Sequence, residues 1–140
     1  MGWKDARPDH ETGTDSMIKL TFCLRRQAHL SRAEFQTYWR ETHGPLVEKH
    51  RKALRFIAYN QVHTIDDAMG KALGDVRHAP PAYDGFAEMI WASRAELDIA
   101  MTSPAGRAAG RELLADEKRF IDLEKSPISL GEIPFGLTND

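Results

Sequence analysis

Cysteine is nearly absent: Cys23 stands alone in 140 residues, so no intrachain disulfide is possible. It lies in an apolar strand pattern, where a free cysteine is a small packing residue rather than a nucleophile. Charge of one sign is also missing. Nineteen Lys and Arg against 21 Asp and Glu leave a formal net charge of −2, which argues against an electrostatic nucleic-acid binder. No apolar run approaches a membrane span. The opening Met-Gly-Trp-Lys-Asp-Ala-Arg-Pro-Asp-His has no apolar core region of a secretory signal, and Ala6 breaks the myristoylation pattern. The expected compartment is therefore the cytoplasm, with neither a membrane nor a nucleic-acid partner. Metal-ligand spacings are lacking too: there is no His-x-His, His-Glu-x-x-His or cysteine cluster, and His43 and His50 sit seven apart across a proline. No phosphate loop, nucleophile elbow or dinucleotide fingerprint appears, so neither metal nor cofactor is expected.

What the chain does have is the material of one domain. Its length suits a single core, and 41% of it is hydrophobic. Residues 1–16 are polar and rich in turn formers and are expected to form a flexible tail. The domain is expected over 17–133, followed by a short tail at 134–140.

Residues 18–26 alternate, with Ile18, Leu20, Phe22 and Leu24 on one side and Lys19, Thr21 and Cys23 on the other, which predicts a strand. Ser31-x-x-Glu34 is a capping box opening a helix on which Phe35, Tyr38, Trp39, Thr42 and His43 share one arc. Gly44-Pro45 interrupts it, and Pro45 begins a second segment reaching roughly Ala53. A second strand is expected within 54–63, then a long connection over 64–82 whose middle, 67–73, can form a short helix. Such length is often functional. Tyr83–Trp91 reads as the third strand. Ser93-x-x-Glu96 is a second capping box, Ser103-Pro104 a fresh helix start running to about Ile121 with a potential break at Gly110, and 126–133 the last strand.

The order β-α-β-β-α-β predicts an α+β, ferredoxin-like fold: two helices on one face of a four-stranded antiparallel sheet. The opposite face, carrying residues such as Trp91 or Met89 depending on register, needs a cover. A second copy of the sheet is the simplest one, so a homodimer is expected.

Several stretches together carry a resemblance: Met17-Ile18-Lys19-Leu20 through Arg26, Ser31-x-x-Glu34-Phe35-x-x-Tyr38-Trp39, His43-x-Pro45-Leu46-Val47, Tyr83-Asp84-Gly85-x-Ala87-Glu88, Ser103-Pro104-x-Gly106-Arg107 and Asp116-Glu117-x-x-Phe120-x-Asp122. In this order and spacing the chain resembles the EthD-like domain, a branch of the dimeric α+β barrel superfamily. The resemblance covers nearly all of the chain after residue 16; the long connection departs from it. It implies a dimer whose sheets face each other and a ligand pocket between sheet and helices. Some relatives are cofactor-free enzymes that cyclise, dehydrate or isomerise polyketide-like or aromatic compounds. Others are cofactor-free oxygenases or proteins encoded beside degradative oxygenases.

Among residues suited to chemistry, His43 comes first. An imidazole on the inward arc can take or give a proton near neutral pH, as enolisation or dehydration requires, or it can simply bond a backbone carbonyl. Asp84 could orient His43 or polarise a carbonyl, or be a turn aspartate, with Gly85 marking a bulge or a close backbone approach. Tyr59 could donate to an oxyanion; Asn60 lies on the opposite strand face, so only one of the two can reach a pocket. Glu88, between Phe86 and Ile90, is either a base of raised pKa or a partner of Arg25 across the sheet. Phe35, Tyr38 and Trp39 would wall the pocket or be plain core. His63, flanking the long connection, could reach a ligand or be solvated. The function expected is cofactor-independent acid–base chemistry, such as dehydration, cyclisation or isomerisation, on a small hydrophobic carbonyl or phenolic compound. The alternatives are a non-catalytic binding or oxygenase-accessory protein, or a cofactor-free oxygenase.

Overall fold

The computed structural model describes residues 16–139 and the backbone of Trp3–Asp5. Residues 1, 2, 6–15 and 140 lie outside the described residues, and with them most of the expected N-terminal tail. Strand β1 (Trp3–Asp5) pairs antiparallel with β6 (Leu137–Asn139), a two-stranded ribbon that joins the two segments expected as tails. The main sheet holds β2 (Ile18–Leu24), β3 (Ala58–His63), β4 (Gly85–Trp91) and β5 (Ile128–Glu132) in the order β3-β4-β2-β5, all antiparallel. This is the ferredoxin-like arrangement, with the first and third fold strands central.

Alternation decides the faces. Ile18, Leu20, Phe22 and Leu24 point toward the helices, and the register Ile18↔Trp91 and Leu20↔Met89 brings Trp91 and Met89 to the same side. The expectation that they lie on the open face is thus corrected by the register. The open face carries Cys23, Phe86, Ile90 and Val62, with Lys19 and Glu88 paired at 2.8 Å between them.

The first helical layer begins with α1 (Arg32–Tyr38), whose capping box is reciprocal: Ser31 accepts from Glu34 N–H and Glu34 accepts from Ser31 N–H. Such a cap contributes about 1 kcal/mol. The expected break at Gly44-Pro45 is instead a single π turn, Trp39–His43, leading straight into α2 (Gly44–Lys49). Pro45 has no N–H for the preceding turn, and the widened turn takes up the mismatch without leaving the helical path. A short α3 (Arg51–Leu54) follows. In the long connection Asp67 caps α4 (Ala68–Asp75), none of whose residues is buried.

The second layer holds α5 (Arg94–Thr102) and α6 (Pro104–Phe120). Ser93 accepts from Glu96 N–H, but the Glu96 carboxylate turns to Arg55, so the second capping box is only half made. Helix α6 runs unbroken through Gly110. Gly106 lies so close under the end of α5 that a Cβ there would meet the Ala100 carbonyl oxygen at 1.8 Å.

Phe22, Leu24, Phe35, Trp39, Phe120 and Ile121 form one core cluster, with Val47, Leu54, Ala109 and Leu113 in a second and Ile18, Trp91 and Leu97 in a third. The buried Trp91 indole donates to the Leu54 carbonyl at 2.7 Å, tying the end of α3 to the sheet. No helix among the described residues is long and apolar enough to cross a membrane.

Candidate active site

Between the sheet and the two helical layers lies a cavity of about 190 Å³. Its walls are apolar, built by Leu20, Phe22, Met89 and Trp91 from the sheet and Val47, Leu113 and Ile121 from the helical side. Three ionisable side chains reach it: His43 at the end of the π turn, Tyr59 on β3 and Glu117 on α6.

The π turn explains how His43 gets there. Trp39 and His43 are four apart and both buried, so the turn presents both toward the cavity. His43 Nδ1 lies 2.7 Å from Asp116 Oδ2, and Tyr38 donates its hydroxyl to Asp116 Oδ1 at 2.5 Å. A carboxylate can only accept, so Asp116 holds the Nδ1–H tautomer and leaves Nε2 as the basic nitrogen. Burial lowers the pKa of His43; the hydrogen bond to Asp116 and its charge offset this only in part. The ring is accordingly neutral, and able to act as a base, near neutral pH.

Glu117 is the neighbour of Asp116 but faces the cavity. Burial first, and the adjacent Asp116 charge second, raise its pKa to about 7. Near neutral pH a large fraction of it carries a proton and can donate. Tyr59 is also raised, chiefly by burial and against the pull of Gln61 and Trp39, so its phenol stays protonated. The cavity thus combines a histidine base oriented by a carboxylate, a carboxylic acid and a phenol inside an apolar shell, where each hydrogen bond counts for more than in water.

The remaining expected residues are distributed around this centre. Trp39 lines the cavity, whereas Phe35 is fully buried behind it, packed on Trp39 and Phe120 with ring centroids 5.6 Å apart. Tyr38 meets the site only through its hydrogen bond to Asp116. His63 lies on the inward face of β3, stacked on Trp39 at 4.3 Å. Asp84 does not orient His43: its carboxylate accepts from Arg26 N–H at 2.9 Å, Arg26 Nη1 at 2.5 Å and Arg32 Nε at 3.2 Å. Burial opposes its ionisation, but these donors outweigh burial and hold the carboxyl below its ordinary range. Gly85 beside it is the close approach that was expected, with a Cβ position 2.5 Å from the Trp39 ring. Asn60 and Glu88 are on the open sheet face, where Asn60 donates to Glu88 at 3.4 Å. Glu88 pairs with Lys19 rather than Arg25, which instead stacks over Tyr83 and donates to the Ala82 and Pro81 carbonyls.

Comparison with known proteins places the architecture. Residues 27–124, well over half of the chain, match the EthD domain. The chain belongs to the EthD domain family. No curated protein matches it. Among solved structures, it is similar to an EthD family protein from Bacillus halodurans, with 22% identity and a TM-score of 0.55 over 83% of this chain and 97% of that one. A dimeric ferredoxin-like protein from Thermobifida fusca is 13% identical, with a TM-score of 0.54 over 91% of this chain and 98% of that one. The hydroxynitrile lyase from Passiflora edulis is also 13% identical, with a TM-score of 0.53 over 85% and 94%. At such identities the likeness shows the fold alone.

In this EthD domain, the residues that sequence reasoning passed over are Asp116 and Glu117. A signal for the first was present. On α6 the buried positions are Gly106, Ala109, Leu113, Asp116 and Phe120, a regular three-and-four spacing in which one member is a carboxylate. A charge on an otherwise apolar stripe needs a partner, and His43 and Tyr38 are the partners. Glu117 carries no comparable mark, because its exposure follows from the shape of the cavity. Among the described residues no cluster of three or more His, Cys, Asp or Glu is placed to hold a metal ion.

Proposed function

We propose that the protein is an enzyme that carries out acid–base chemistry, without a cofactor, on a small apolar compound bearing a carbonyl or phenolic oxygen. The observation that carries this reading is the meeting of the Asp116-held His43 with Glu117 and Tyr59 in one apolar cavity. His43 Nε2 removes a proton from carbon next to the carbonyl. Tyr59 and Glu117 donate to the oxygen on which negative charge develops. Return of the proton to another carbon completes an isomerisation; its delivery from His43 to a β-hydroxyl, whose C–O bond breaks as the C=C bond forms, releases water and completes a dehydration. Trp39, backed by Phe35, and the other apolar walls keep water away. The cavity volume suits one ring: a dry cavity of about 150 Å³ holds benzene. A one-ring aromatic or alicyclic carbonyl compound therefore fits this reading better than a multi-ring polyketide.

The name of the hydroxynitrile lyase of similar fold is consistent with small-molecule chemistry on this scaffold. The assembly belongs to the same proposal. Residues 17–133 form the folded domain, and a second copy covers the open sheet face with Phe86, Ile90 and Val62, as befits a fold with dimeric relatives.

The test is a thermal-shift screen of one-ring aromatic ketones and aldehydes on the wild type and His43→Ala, with product analysis for every stabilising compound. A ligand that binds only the native state must raise the melting temperature. Conversion by the wild type and its loss in His43→Ala support the reading. Equal turnover by both refutes it. Binding without conversion by the wild type moves the protein to the carrier class.

A further inference from the structure

The three inward residues of β3, Tyr59, Gln61 and His63, form a hydrogen-bond chain whose direction is fixed at one end by the backbone. The π turn leaves the Trp39 carbonyl accepting from Gly44 N–H and, at 2.9 Å, from Gln61 Nε2. A carbonyl can only accept, so the amide nitrogen of Gln61, not its oxygen, must lie on this side. The same NH₂ group is 3.0 Å from the Tyr59 hydroxyl, so the phenol oxygen is the acceptor of its second hydrogen. Gln61 Oε1 then faces the other way and sits 2.8 Å from His63 Nε2. An amide oxygen also only accepts, which puts the proton of neutral His63 on Nε2 and leaves Nδ1 bare. Nδ1 is indeed a buried nitrogen with no hydrogen-bond partner. Two further contacts hold the chain in place. His63 stacks on Trp39, and the absent side chain of Gly44 leaves room for the amide, since a Cβ there would lie 3.2 Å from Gln61 Nε2.

One consequence concerns the cavity. The Tyr59 oxygen receives a hydrogen from Gln61, so its own hydrogen has to point elsewhere, and Tyr59 lines the cavity. We propose that Gln61 is a positioning residue that holds Tyr59 as an obligate hydrogen-bond donor into the cavity, so that the ligand is taken there by an acceptor oxygen, a carbonyl. This rests on the enzymatic reading of the same cavity and favours a carbonyl, which only accepts, over a phenolic oxygen, which must also place a hydrogen of its own. Glu117, on the helical wall facing β3, supplies a second donor, and the apolar walls accept one ring. The substrate class is a one-ring ketone, aldehyde or enone.

Two measurements on the full chain test the proposal. The first needs no ligand. Nitrogen-15 spectra should show neutral His63 as the Nε2–H tautomer, the signal being assigned by its loss in His63→Gln. The carbon-13 signal of the Tyr59 ring carbon bearing the hydroxyl, assigned by its loss in Tyr59→Phe, should move in Gln61→Met. A His63 protonated on Nδ1, or a Tyr59 signal indifferent to Gln61→Met, overturns the positioning role. A fold defect alone would not select this carbon, and unchanged spectra elsewhere in Gln61→Met guard against one.

The second measurement uses acetophenone labelled at its carbonyl carbon. Its infrared carbonyl stretch should fall on binding to the wild type and revert in Tyr59→Phe. In Gln61→Glu the new carboxylate accepts the Tyr59 proton, so the stretch should also revert and the Kd rise about tenfold, as for one lost hydrogen bond. No binding of acetophenone to the wild type, or an unshifted stretch, overturns the carbonyl assignment. Unchanged turnover in His43→Ala would instead refute the acid–base reading while leaving the first measurement intact.

Discussion

Glu117 offers a quantitative test of the site that requires no substrate. Its carboxyl moves from an ordinary 4.5 in the unfolded chain to about 7 in the folded one, because burial and the adjacent Asp116 disfavour its charge. At 1.36 kcal/mol per pH unit, that displacement corresponds to about 3 kcal/mol of destabilisation once the group is ionised in both states. The sign follows from proton binding. Between pH 4.5 and about 7 the folded state holds the proton that the unfolded state has released, so stability falls as pH rises through this window. Glu117→Gln keeps the shape and removes the titration. The difference in unfolding free energy between Glu117→Gln and the wild type should be near zero at pH 4 and grow to about 3 kcal/mol in favour of the variant by pH 8. Urea unfolding at fixed protein concentration measures this directly, and holding concentration fixed keeps any dimer contribution constant. In thermal scans at pH 8 the same effect appears as a rise of roughly 10 °C, at about 3–4 °C per kcal/mol for a chain of this size. A pH-independent difference between the two proteins would refute the argument, since Glu117 would then be as solvated in the folded state as in the unfolded one.

Four further outcomes follow from the geometry. Asp116→Asn should lower kcat by about 10²–10⁴, because the amide no longer enforces the Nδ1–H tautomer of His43. It should also move both limbs of the pH–rate profile to lower pH, since the Asp116 charge raises the pKa of His43 and of Glu117. Asp84→Asn should cost about 2 kcal/mol at pH 7 by leaving Arg26 without its anion and Arg32 with Asp66 alone. Asp84 is held below its ordinary 3.8, so this stability is present above that pH and lost as pH falls further; urea titrations at pH 7 and pH 3 should show the gap narrowing. Gly85→Ala, whose Cβ would meet the Trp39 ring at 2.5 Å and the Val62 carbonyl at 2.7 Å, should lose about 1–3 kcal/mol in denaturant titrations and weaken ligand binding by displacing a cavity wall. Trp91→Phe leaves the buried Leu54 carbonyl without its donor and should cost about 1–3 kcal/mol in the same assay.

The fold was legible because its signals are local and repeat. Alternation at Ile18, Leu20, Phe22 and Leu24 can satisfy only a strand with one buried face. Ser31 and Ser103 mark helix starts because their hydroxyls satisfy backbone N–H groups that nothing else can reach. Where local chemistry admitted two answers, the tertiary structure chose. Gly44-Pro45 could end a helix or widen it, and packing of Trp39 and His43 onto the sheet favours the π turn. Glu96 could complete a cap or pair with Arg55, and α3 brings Arg55 within reach. The side of the sheet that takes Trp91 and Met89 depends on pairing register, which no single strand contains.

The candidate site divides in the same way. His43 and Trp39 were named from the sequence because they share the inward arc of their helix, whereas Tyr59 and Asn60 stood as alternatives until the pairing register turned Tyr59 inward. Asp116 and Glu117 were passed over because their importance is relational: Asp116 is 73 positions after His43 in sequence, yet α6 sets it 2.7 Å from the imidazole. The same holds for Gln61, an ordinary strand residue until the π turn places the Trp39 carbonyl against it. By itself the sequence determined the four strands of the main sheet, the helices between them and their order, since these follow from the period of the backbone and from local hydrogen bonding. Only the tertiary structure decided which carboxylate meets the histidine, which one burial raises in pKa and which donor the Tyr59 oxygen accepts from. Those properties depend on burial and on contacts between segments far apart in the chain.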